Sequence, residues 1–151
     1  MNDVVHVTSA EDIRRLQAEM VKLPQCVEHL TRHYFADGMY CRELWRPAGC
    51  LIVGKVHRKE HFYIVAHGDV TITWGGRAPE RVIGPKVFVS PVGTKRAVLA
   101  HTDATCITVH QCSERDLEKI ERELVEYDPD STFKVGNELK EGVCPSLPPP
   151  Q

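Results

Sequence analysis

No two cysteines in this 151-residue chain stand two residues apart, so the close thiolate pairs that a zinc ribbon needs are missing. The six cysteines fall at 26, 41, 50, 106, 112 and 144. Residues 1–6 show neither a basic flank nor an apolar stretch of signal length, so the thiols are expected reduced and the location cytoplasmic. Long apolar runs are also absent. Stretches such as residues 50–53 are far too short for a membrane-spanning helix, and a membrane is not expected as a partner. Aromatics make up only 7% of the chain, and no stacking motif accompanies its basic residues. Nucleic acid is therefore not expected as a partner either. No internal repeat is visible.

The residues present describe one soluble domain with a core: 42% are hydrophobic and 26% charged. Charge is uneven. Residues 38–112 carry ten basic against five acidic side chains, and residues 113–128 carry three against seven. Ser9 followed by Asp12 reads as a helix start, with Ile13, Leu16, Met20 and Leu23 on one face and Pro24 behind them. A short helical or irregular stretch over 25–30 follows, closing an N-terminal helical segment, 1–32. From 33 to 112 the pattern turns to about eight short strands: 39–46, 50–57, 61–67, 70–74, 81–83, 86–90, 96–101 and 105–112. Strands of that length and spacing predict an antiparallel sandwich or barrel. Ser113 and Asp116 repeat the capping pattern, and Leu117, Ile120 and Leu124 mark the stripe of a second helix within 113–128. Residues 129–151 form a proline-rich tail, expected to be extended.

The chemistry concentrates between Gly54 and Gly68, where His57 and His61 stand four residues apart across a tight turn. If both flanking segments are strands, the two imidazoles point into one barrel mouth. Glu60 adjoins His61 and points the other way once the strand has begun. Alternation along 107–112 puts His110 on one face with Thr108 and Cys112, so His57, His61 and His110 are a candidate three-histidine metal site. The competing reading is a set of neutral histidines within a polar core. His29 and His33 lack a third ligand and read as surface or loop residues. Trp45 and Trp74 read as barrel wall. Cys112 reads as a plain buried thiol, with activation by its surroundings as the alternative.

The stretch from Gly54 to Gly68 resembles the first cupin motif, with Lys55 and His57 at its two histidine positions, His61 at its glutamate and Gly68 closing it. Residues 84–96 resemble the second motif through Gly84, Pro91 and Gly93, with Arg96 at the histidine position and Ala100 at the asparagine. The chain is also similar to small single-domain cupin-like proteins of tailed phages and prophages, in residues 33–38, 51–55 and 87–96. The resemblance implies an all-β cupin-type barrel or jelly roll over 33–112, flanked by the N- and C-terminal helices. Two of the four family ligand positions carry cations. Lys55 and Arg96 would repel a metal and orient an anion or an acidic substrate.

Three functions follow. The first is a structural or adaptor block in a larger assembly such as a phage virion or tail, which needs no cofactor and has other protein subunits as partners. On this reading 129–151 is a docking arm whose anchors are Phe133, Val135, Leu139, Val143 and Leu147. The second is a metal-dependent cupin enzyme, an oxygenase, isomerase or lyase acting on a small polar or anionic molecule, with a divalent zinc, iron, manganese or nickel ion. The third is a module that binds a small anion.

Overall fold

The computed structural model describes residues 8–25 and 29–140. Helix α1 (Ala10–Met20) starts as the sequence predicts. Ser9 Oγ accepts from the Asp12 amide at 3.1 Å, and the Asp12 carboxylate accepts from the Ser9 amide at 2.9 Å. Ile13 is buried against Val53 and Ala97, with Leu16, Met20 and Leu51 around it. Leu23 lies past the helix end and is exposed.

Nine strands follow: β1 (Leu30–Ala36), β2 (Met39–Arg46), β3 (Leu51–Val53), β4 (His61–His67), β5 (Asp69–Trp74), β6 (Glu80–Ile83), β7 (Lys86–Ser90), β8 (Arg96–Ala100) and β9 (Ala104–Gln111). They make two antiparallel sheets, ordered β1-β2-β9-β4-β7 and β3-β8-β5-β6. Tyr63, Val65 and Cys106 from the first sheet bury against Ile72, Trp74 and Val98 from the second, so the sheets face each other across one core. This is the all-β, two-sheet barrel with flanking helices that the strand pattern predicts.

Three expectations change. β1 begins at Leu30, inside the segment read as helical or irregular. The strand expected over 50–57 shrinks to Leu51–Val53, because the backbone beyond it serves two neighbours. Gly54 and His57 donate to the carbonyls of Arg96 and Thr94, while the Val56 carbonyl and the Arg58 amide pair with Glu126 and Leu124. The second helix, α2, covers only Leu117–Leu124, and its cap is Asp116, which accepts from the Lys119 amide at 3.1 Å. Ser113 lies ahead of the helix, next to Cys112, which still donates to the Gly38 carbonyl. Val125 then turns extended to bridge His57.

Gly68, which closes the first motif, has φ +101°, and a Cβ there would stand 2.5 Å from the Asp103 carbonyl oxygen. Only glycine meets both demands. Among the described residues Cys41, Cys106 and Cys112 are free thiols. No helix among the described residues is long and apolar enough to cross a membrane.

Candidate metal centre and the pocket behind it

Strand alternation builds the site in rows. On β9 the inward residues are Ala104, Cys106, Thr108 and His110. Tyr40 of β2 lies opposite His110, and Phe62 opposite Val109 brings the start of β4 alongside, so His61 opens onto the same end of the barrel. One row deeper, Arg42, Thr108 and Tyr63 are register partners across β2, β9 and β4. His57 comes from the irregular segment between β3 and β4, not from a strand as expected. α2 closes over this end, packing Ile120 and Leu124 on Tyr40 and Cys112.

His57, His61 and His110 are each at most 4% exposed, and one ring nitrogen from each lies within 4.8 Å of the others. Their rings stack, with centroids 4.2 Å apart for 57–61 and 4.5 Å for 61–110. Backbone carbonyls set two tautomers. His57 Nδ1 donates to the Thr94 carbonyl at 3.3 Å, and His61 Nδ1 donates to the Lys59 carbonyl at 3.0 Å. Nε2 of both rings therefore carries a lone pair. His57 Nε2 and His110 Nδ1 are buried and have no partner, as nitrogens awaiting a ligand would be. Burial first, and the Arg96 charge second, push His57 well below the usual imidazole range and His61 down to about 4. Burial and then His61 push His110 to about 2. All three rings are neutral near neutral pH, the form a metal binds. Glu60 is exposed, and among the described residues no carboxylate joins the cluster.

Arg96 enters from the opposite sheet. Its Nη2 donates to His61 Nε2 at 3.2 Å, its Nη1 donates to Ser90 Oγ at 2.6 Å, and its guanidinium lies 4.2 Å over the Tyr63 ring. Lys55 sits at the mouth and is paired with Glu121 of α2. The sequence reading missed Arg42, Arg46 and Tyr63, which line the same cavity as Thr108. The signal was available, because alternation along β2 puts Tyr40, Arg42, Leu44 and Arg46 on one face.

Elsewhere, the Cys112 thiol is raised by burial and by Glu123, to which it donates at 2.7 Å, so it stays protonated. Trp74 is buried in the core and Trp45 half-buried in the wall. His33 Nδ1 bonds the Tyr40 hydroxyl at 2.6 Å, and His29 Nε2 donates to the Asn137 carbonyl at 2.8 Å. Of the expected docking anchors, Phe133 packs edge-on against His29 at 5.5 Å and pairs with Leu139 in an isolated bridge. Val135 is half-buried in a short turn beside α2. Val143 and Leu147 lie outside the described residues.

No family model matches the sequence, and no curated protein matches it. Solved structures do. A cupin superfamily protein from Desulfitobacterium hafniense is 11% identical, with a TM-score of 0.49 over 63% of this chain and 86% of that one. An RmlC-like cupin from Methanocaldococcus jannaschii with a double-stranded β-helix fold is 12% identical, with a TM-score of 0.49 over 56% and 81%. Hydroxypropylphosphonic acid epoxidase from S. wedmorenis is 12% identical, with a TM-score of 0.49 over 58% of this chain and 53% of its own.

Proposed function

We propose that this chain is a metal-dependent enzyme of cupin type, in which His57, His61 and His110 hold a divalent transition-metal ion and a small polar molecule reaches it inside the barrel. One observation carries the reading. Three neutral, buried imidazoles from three separate segments converge, and two of the nitrogens they bring to this end of the barrel have no partner. A polar core without a ligand would leave those nitrogens costing free energy, about 1–3 kcal/mol each.

A bound ion would supply Lewis-acid or redox chemistry at positions that three protein ligands leave free. The rest falls to the chain. The carbonyls of Thr94 and Lys59 hold two rings in the ligating tautomer. Tyr40 stacks on His110 with ring centroids 6.0 Å apart. α2 packs Ile120 and Leu124 over this end of the barrel, and Arg96 brings a positive charge to Nε2 of His61.

Elemental analysis of the full chain after reconstitution with zinc, iron(II), manganese or nickel tests the reading. About one ion per chain is expected, lost in His57→Ala and in His110→Ala while circular dichroism shows both still folded. Stoichiometry near zero with all four metals would overturn it.

A second reading, the assembly subunit, is favoured by a different surface. On the outer face of β4 and β7, Phe62, Val87 and Val89 are all at least half exposed. This face is the reverse of the one bearing the histidines, so the two readings are compatible. Light scattering of the purified chain showing copies associated, and dissociated by Val89→Glu, would support it; a monomer at all concentrations would remove it.

A further inference from the structure

We propose that the barrel interior behind the histidines is a binding site for a small oxyanion, a carboxylate or phosphoryl group, held by Arg46, Arg96 and Arg42 with the hydroxyls of Tyr63 and Thr108. This goes beyond the metal reading, since these side chains call for an anion whether or not the histidines hold an ion.

The argument begins with charge. Arg42, Arg46, Arg96 and Lys55 all line one cavity, and the one carboxylate lining it among the described residues, Glu121, is already paired with Lys55. Arg46 is 2% exposed and Arg96 is 6% exposed. Neither has a carboxylate partner among the ion pairs of the described residues. A guanidinium taken out of water without a counter-charge is strongly unfavourable, and two facing one cavity are worse.

Hydrogen bonding points the same way. Nε and Nη1 of Arg46 and Thr108 Oγ1 are buried without a partner, and the Tyr63 hydroxyl has only the weakly bonding Cys106 thiol beside it. Buried donors are almost always satisfied, so these atoms around one cavity mark a missing acceptor. Water would satisfy the hydroxyls, but it brings no charge to the arginines. An oxyanion answers both needs, because guanidinium groups match the geometry of carboxylate and phosphate oxygens.

The register shows that the site is built rather than accidental. Arg42, Thr108 and Tyr63 form one row across three strands. Arg46 lies two pairs beyond Leu44 along β2, opposite Ala104, whose small side chain leaves it room to turn inward. Arg96 closes the site from the other sheet, above the Tyr63 ring. The cavity holds about 70 Å³, room for an anionic head group of a few atoms.

The test uses the full chain stripped of metal by a chelator. Inorganic phosphate and malonate are titrated by calorimetry at constant ionic strength, with chloride as the control. Saturable binding of about one anion per chain is expected, and the arm that binds more tightly identifies the head group. Arg46→Met should weaken binding at least tenfold, and in anion-free buffer it should raise the thermal midpoint by removing an unpaired buried charge. If that variant does not fold, Tyr63→Phe and Thr108→Val should each weaken binding several-fold. No saturable binding of either anion to the wild-type chain would overturn the proposal, as would unchanged binding in Arg46→Met. The titration is made on the metal-free chain, so a chain that takes up metal on reconstitution but binds neither anion refutes this site alone and leaves the metal reading standing.

Discussion

Arg96 and His61 share a hydrogen bond in which the guanidinium Nη2 donates to the imidazole Nε2 at 3.2 Å. The acceptor is the bare nitrogen of a ring whose other nitrogen already donates to the Lys59 carbonyl. A metal ion and Arg96 therefore compete for one lone pair. Arg96→Met is expected to tighten metal binding about tenfold, by removing both the competitor and a nearby positive charge. Competition with a chromogenic chelator would measure it. Weaker binding in the variant would instead mean that Arg96 orients the ring.

Gly68 is expected to tolerate no side chain. Its φ of +101° and the 2.5 Å that would separate any Cβ from the Asp103 carbonyl oxygen act together. Gly68→Ala should cost at least about 2 kcal/mol, from backbone strain and overpacking combined. Urea denaturation would show it as a lower midpoint at unchanged slope.

Helix α2 is held over the mouth by few side chains, so Leu124 carries much of the seal. Leu124→Ala should destabilise the chain by about 2–4 kcal/mol. Hydrogen exchange should rise first at residues 117–125 and at His57, whose backbone bridges Val125. Uniformly faster exchange would argue against a local seal.

Asp128 ties three elements together. It accepts from Lys95 Nζ at 2.7 Å, ahead of β8, and from Gln17 Nε2 at 3.2 Å, on α1. Burial works to raise this carboxyl, but the Lys95 and Gln17 contacts outweigh it and hold it below the usual aspartate range. The unfolded chain thus takes up the proton first. The stabilisation is complete above about pH 4, the ordinary aspartate value, and is lost as pH falls below that. Asp128→Asn should destabilise the chain by about 2 kcal/mol at pH 7, leaving Lys95 buried and unpaired. The difference from wild type should vanish in the acid limb of a stability–pH curve.

Local pattern alone determined a good deal of this molecule. The capping box of Ser9 and Asp12 depends on residues three apart, and the inward face of β9 depends on a period of two, so both could be read along the chain. His57, His61 and His110 were likewise legible from spacing and alternation. β1 was missed because it is an edge strand whose inward residues, Thr31, His33 and Phe35, are only half-buried, so it shows no apolar stripe. The start of α2 was misplaced because Ser113 is a sound local cap, whereas the hold of Gly38 on Cys112 is a contact between distant residues.

Only the tertiary structure decided what surrounds the histidines. Arg46 reads in sequence as one of many scattered basic residues, and although the motif resemblance puts Arg96 at a ligand position, nothing local says that Arg46 is buried without a carboxylate or that Arg96 reaches His61. Those facts depend on two sheets closing face to face and on Glu121 of α2 reaching Lys55 rather than an arginine. Alternation along a strand tells which side chains share a face. The charge that a face meets on burial is set by the element packed against it, and that element lies far away in the chain.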